Sequence, residues 1–149
     1  MILLDTNLLG RLTDSADPLS EAARQAVHTL LAKGERLIIV PQNLYEFWAV
    51  ATRRPGTPPA GQNGLGMTTE QASQWLRFFQ RRFTLLPDRD ELLTYWHALV
   101  RTRDIRGFKS HDARLVAAMQ SYGITRLLTF DMGDFQGFAI TLLDPASLA

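Results

Sequence analysis

The sequence predicts an α/β sandwich built on a mostly parallel sheet. Three observations predict it. Short, wholly apolar runs such as Leu37-Ile38-Ile39-Val40 lack the polar alternation of a half-exposed strand, which suits strands covered on both faces. Those runs alternate with longer stretches whose apolar residues recur at helical spacing. Glycine and proline punctuate the joints between them. At 149 residues the chain fits one domain, 1–149. A hydrophobic content of 46% suffices for a core and is too high for a disordered chain.

Ile2 to Leu4 is the first strand, and Asp5-Thr6-Asn7 starts a helix behind it. Asp17-Pro18 opens a helix that runs to about Lys33, with Ala22, Ala26, Leu30 and Leu31 at helical spacing and Gly34 as its stop. After the strand Leu37–Val40, Pro41 starts a helix carrying Leu44, Tyr45, Phe47, Trp48 and Val50, ending near Arg53-Arg54-Pro55. Residues Pro55 to Gly66 hold three prolines and four glycines and read as a long surface loop. Thr69, as a cap, opens a helix to Arg82, and Thr84-Leu85-Leu86 is a short strand. Asp88 to Arg103 is helical, with Leu92, Leu93, Trp96, Leu99 and Val100 facing inward. Ser110 to Tyr122 is the clearest amphipathic helix, capped by Ser110 and stopped by Gly123. Arg126–Thr129 and Ala139–Leu143 supply the last strands.

Composition narrows the chemistry. There is no cysteine, which excludes disulfides and thiolate metal sites and leaves oxygen or imidazole as ligands. None of His28, His97 and His111 forms an H-x-x-x-H pair, and the chain has no Walker lysine loop and no G-x-G-x-x-G. His28 and His97 read as surface or boundary residues, and Trp48, Trp75 and Trp96 as packing residues. The N-terminal apolar run lacks a basic leader and is cut short by Asp5, and no stretch reaches membrane-spanning length, so a soluble, cytoplasmic protein is expected. Net charge is +1 and takes no side, but Arg101, Arg103, Arg106 and Lys109 gather in one stretch. They suit either phosphate contacts or a solvated helix end.

The acids carry the functional signal. Ligands of an open parallel sheet bind beyond the carboxyl ends of its strands. Asp5 follows the first strand, Glu46 lies early in the helix after the second, Asp112 opens its own helix, and Asp131 and Asp134 follow the strand containing Leu127-Leu128. Each has an ordinary reading. Asp5 can cap a helix, Glu46 can close a capping box with Asn43, Asp112 can complement a helix dipole, and Asp131 or Asp134 can serve a turn. Together they suggest more. Asp112 shares a face with Leu115, Val116 and Met119, and Glu46 with Ala49, Val50 and Arg53. Inward-facing carboxylates need a cation. A hard divalent ion such as Mg²⁺ or Mn²⁺ fits an all-oxygen set and supports phosphodiester hydrolysis.

Four motifs in order carry a resemblance: Asp5-Thr6-Asn7; Glu46 within Pro-Gln-Asn-Leu-Tyr-Glu-Phe-Trp; Lys109-Ser-His-Asp112-Ala-Arg-Leu-Val-Ala-Ala-Met119; and Leu128-Thr-Phe-Asp131-Met-Gly-Asp134-Phe135. From Ile2 to about Pro145 the chain resembles PIN-domain proteins of the VapC toxin family. The resemblance implies a three-layer α/β/α fold and a metal-dependent endoribonuclease, the toxin of a type II toxin–antitoxin pair. It places the family's acids at Asp5, Glu46 and Asp112, with the fourth at Asp131 or Asp134, and gives Thr6, Asn7 and Thr129 supporting roles. It also implies an antitoxin partner and a homodimer. Arg103, Arg106 and Lys109 are the candidates for holding the RNA backbone. Two alternatives stay open: a non-catalytic PIN-like module that binds RNA or protein, and a phosphate-ester hydrolase or phosphoacceptor using Asp5.

Overall fold

The computed structural model describes residues 1–56 and 64–148. Five parallel strands form one sheet: β1 (Ile2–Leu4), β2 (Leu37–Ile39), β3 (Thr84–Leu85), β4 (Arg126–Leu128) and β5 (Thr141–Leu143). Their order is β3-β2-β1-β4-β5, so β1 is central. Leu3 sits opposite Ile38 on one side and Leu127 on the other. Among the described residues the α-helices are α1 (Thr6–Thr13), α2 (Ser20–Ala32), α3 (Pro41–Thr52), α4 (Thr69–Arg82), α5 (Leu92–Thr102) and α6 (Lys109–Ser121).

Strand alternation divides the core in two. Ile2, Leu4, Leu37, Ile39 and Leu128 pack against α1 to α4 through Leu8, Leu9, Ala26, Phe47 and Phe79. Leu3, Ile38, Val40 and Leu127 point the other way, onto α5 and α6 through Leu99, Val116 and Met119. Apolar runs without alternation are what a sheet buried on both faces requires. The result is a three-layer α/β/α sandwich, as the resemblance implied, with a sheet that is parallel throughout. On the α1–α4 side the aromatic rings are ordered around Phe79, which meets Phe47 edge-on at 5.0 Å and stacks on Phe83 and Trp75.

Several boundaries differ from the sequence expectation. Helix α2 starts at Ser20, because Asp17 turns instead to Arg11 and to the Leu19 amide. Thr68, not Thr69, caps α4: its hydroxyl accepts from the Gln71 amide at 3.1 Å while Gln71 returns the bond to the Thr68 amide at 3.0 Å. Helix α5 begins at Leu92 because Asp88 pairs instead with Arg114 of α6 at 3.1 Å, and Leu93 points outward at 69% exposure. Ser110 is no cap, since the helix already includes Lys109. Nor is α6 amphipathic in its second half: Leu115 to Met119 are all buried, because α6 is wedged between the sheet and α5. The third strand stops at Leu85, and the last strand is confined to Thr141–Leu143.

The expected surface loop Pro55–Gly66 falls largely outside the described residues. Its C-terminal end is fastened to α3, with the Leu65, Gly66 and Met67 amides bonded to the Val50, Arg53 and Ala51 carbonyls. Gly64 lies so close to this helix end that an added Cβ would stand 2.0 Å from the Arg53 carbonyl oxygen, so no other residue fits without backbone movement. Phe79→Ala is expected to cost roughly 3–5 kcal/mol, whereas Leu93→Ala costs under about 0.5 kcal/mol. Urea denaturation of both variants checks this, and equal losses would refute the assigned core.

Candidate active site

The carboxyl ends of β1, β2 and β4 open onto one cleft of about 480 Å³. Asp5, Glu46, Asp112, Asp131 and Asp134 all line it, with Thr6, Asn7 and Arg11. Asp5 is also the N-cap of α1, so its ordinary reading is correct as well. One carboxylate oxygen accepts from the Thr6 amide at 2.7 Å. The other accepts from the Thr129 hydroxyl at 2.7 Å. Thr129 is fully buried, and its oxygen in turn accepts from the Asp131 amide at 2.9 Å.

Glu46 does not close a capping box with Asn43. The fully buried Asn43 accepts from the Val40 amide and donates to the Leu4 carbonyl and the Thr6 hydroxyl, at 2.8, 3.0 and 3.1 Å. It thereby ties the ends of β1 and β2 together. Thr6 passes the chain on to Glu46 through a long 3.5 Å contact. The Glu46 face of α3 borders the cleft rather than the core, which Leu44, Phe47 and Ala51 serve; Ala49 and Arg53 are exposed. Asn43 and its role were invisible to the sequence reading because a buried amide and a capping amide look identical in one dimension.

Asp131 and Asp134 sit around the short 3-10 turn Met132–Phe135. Asp131 accepts a hydrogen bond from the Asn7 side chain. Both acids are exposed. Asp131 bears on both Asp5 and Asp112, whereas Asp134 is the acid that bears most on Asp112. The basic candidates separate too. Arg103 donates to the Gly137 carbonyl and lies over the Phe138 ring, and Lys109 donates to the Asp134 carbonyl. Arg106 is exposed and pairs with Asp104, at 3.0 Å. His111 is exposed, and its carbonyl accepts from Gln42.

Burial pushes the Asp5 carboxyl up to about 7, with Asp131 and Asp112 adding to the effect against its two hydrogen bonds. Asp112 is raised by its own burial and then by Asp134, with Lys109 opposing. Among the described residues, none of the five acids forms a salt bridge. The same residues hold no group of three acids or histidines gathered tightly enough to enclose an ion. The donor chemistry still fits a hard divalent cation: only oxygen ligands line the cleft, and the Asn7 side-chain oxygen there is buried without a hydrogen-bond partner.

The chain is thus a parallel α/β/α domain whose acids gather beyond its central strands. The PIN domain family model matches residues 2–139, and the chain belongs to that family. It is 28% identical over 136 residues to a VapC ribonuclease of Mycobacterium bovis, covering 89% of this chain and 92% of that protein. The same figures hold for the ribonuclease VapC13 of Mycobacterium tuberculosis. Among solved structures, VapBC2 from Rickettsia felis bound to promoter DNA aligns with a TM-score of 0.69 at 17% identity, covering 97% of this chain and 98% of that one. The sarcin-ricin loop cleaving toxin VapC20 of Mycobacterium tuberculosis aligns with a TM-score of 0.64 at 19% identity, covering 94% and 98%. Among the described residues no helix is long and apolar enough to cross a membrane.

The raised Asp5 carboxyl sets a pH dependence. Its folded value of about 7 lies above the ordinary 3.8, so its contribution to stability is complete below about pH 4 and is lost as pH rises through about 7. The full loss is on the order of 4 kcal/mol, at about 1.4 kcal/mol per pKa unit. With metal chelated, the melting temperature is expected to fall between about pH 4 and pH 7, the two values of the Asp5 carboxyl, and to level off above. Asp5→Asn should flatten that fall; an equally steep fall in the variant would disprove the assignment.

Proposed function

We propose that this chain is a Mg²⁺- or Mn²⁺-dependent endoribonuclease of the VapC type, the toxin of a toxin–antitoxin pair. The observation that carries the reading is the convergence of five carboxylates in one cleft, with Asp5 buried among them and no cationic side chain paired to any, among the described residues. Isolated buried carboxylates are costly, and a bound cation removes the cost. A binding module gains nothing from that arrangement. The ribonuclease relatives supply the choice of RNA.

Asp5, Asp112, Asp131 and Asp134 would hold the metal. When bound, it would supply positive charge against the phosphoryl oxygens and favour ionised water at neutral pH. The protein's part is positioning. The Thr6 amide and Thr129 hydroxyl fix both Asp5 oxygens, and Asn7 steers Asp131. Thr129 joins the two acids, since it donates to one and accepts from the backbone of the other. Glu46, half-buried and only loosely held by Thr6, is the group left to orient a water and accept its proton. Arg106 and Lys109, at the entrance to α6, would meet the RNA backbone. An antitoxin that covers the cleft and a homodimer belong to the same reading.

Purified protein freed of any partner is expected to cleave RNA with Mg²⁺ or Mn²⁺, and Asp5→Asn or Asp112→Asn to abolish cleavage. Thr129→Val should lower the rate roughly 10- to 100-fold through misplacement of Asp5. Either metal should raise the melting temperature of the wild type. No cleavage with either ion would sink the reading, and RNA binding without cleavage would favour a non-catalytic module.

A further inference from the structure

Phe108 stands at 88% exposure, above every other large hydrophobic side chain among the described residues. It packs nothing into either core. An aromatic ring held in water forgoes the burial that would stabilise it, and a flat ring is available there to stack on a ligand. The chain presents it deliberately. Asp104 and Gly107 both adopt positive φ, at 49° and 62°, and the Asp104–Arg106 pair closes the turn that leads into the ring. The Phe108 backbone is already helical, at φ −61° and ψ −25°. Asp112 therefore follows four residues on, one helical turn away on the same face. The imidazole of His111 lies 6.2 Å from the ring, at 36° to it.

The surroundings decide between possible ligands. Arg106 is 83% exposed, and Lys109 follows Phe108 directly. Gly107, Lys109 and His111 are exposed as well. A protein-docking face would need contiguous apolar surface, which this stretch lacks. A lone flat ring between cations is instead the pattern that binds single-stranded nucleic acid, with bases on the ring and phosphates on the cations.

We propose that Phe108 is a stacking platform for one unpaired base of a single-stranded RNA, adjacent to the bond cut beside Asp112, with Arg106 and Lys109 on the flanking phosphates. The inference rests on the ribonuclease reading and adds a substrate requirement: the nucleotide at this position must be unpaired. The ring tolerates any base, so it sets strandedness and register rather than sequence.

The test uses a single-stranded RNA that the wild type cleaves, and the same RNA with an abasic residue on either side of the cut. Phe108→Ala is expected to raise KM roughly 5- to 100-fold with kcat little changed, and Phe108→Trp to restore it. The abasic substrate at the stacking position should weaken the wild type by a similar factor and leave Phe108→Ala indifferent. If the wild type cleaves and Phe108→Ala matches it on both substrates, this inference fails while the proposed activity stands. Unchanged RNA kinetics with weakened capture of a protein partner would likewise overturn it, in favour of a protein contact. A wild type that cleaves no RNA removes both.

Discussion

The structure depends on holding one carboxylate almost out of water at the end of its central strand. Asp5 is 8% exposed, and β1 is hydrogen-bonded on both sides. The ladder extends past the strand, since the Asp5 amide donates to the Leu128 carbonyl. A carboxylate there cannot drift, and both its oxygens are committed to donors from α1 and from the segment after β4. The burial that raises its pKa is thus the price of its precision. On the proposed function, a bound cation would offset that penalty, and metal affinity and fold stability would be linked through the same group.

A parallel sheet makes the rest of the cleft almost inevitable. Every strand ends on the same edge, so the segments that follow β1, β2 and β4 are delivered to one place. Asp5, Glu46 and the Asp131–Asp134 turn are those segments. Only Asp112 arrives differently, on α6, which lies along the sheet with Ala113 and Leu115 to Met119 buried. The rigidity of α6 substitutes for the ladder that fixes the others. Asn43 completes the frame by bonding the Leu4 carbonyl and the Val40 amide, so the ends of neighbouring strands keep their spacing.

The strands and the acid positions were legible in the sequence because both depend on local order. An apolar run of three or four residues followed by an acid is a short-range pattern, and Ile2–Asp5 and Leu37–Val40 show it plainly. Helix starts were less legible. Asp17, Asp88 and Ser110 look like caps, yet the first two are taken by Arg11 and Arg114 and the third lies inside its helix. Long-range partners outbid local propensity there. Asp131 and Asp134 could not be separated by spacing alone, since three residues say nothing of which neighbour each acid meets. In the fold Asp131 acts on both Asp5 and Asp112, whereas Asp134 acts more strongly than Asp131 on Asp112.

The basic residues near α6 have a second role that charge alone does not reveal. Arg103 and Lys109 donate to the carbonyls of Gly137 and Asp134, on the segment that carries the last two acids. That segment has little regular structure of its own beyond one 3-10 turn. The two cations therefore fasten it against the α5–α6 junction, and Lys109 also moderates the repulsion at Asp112. Charge in this region is divided by function: Arg103 is bound into the frame, Lys109 joins frame to cleft, and Arg106 stays exposed at the turn before Phe108. Arg103 and Lys109 hold the backbone of the Asp134–Gly137 segment and, among the described residues, form no salt bridge to the carboxylates of the cleft. Direct pairing to those side chains would quench the site.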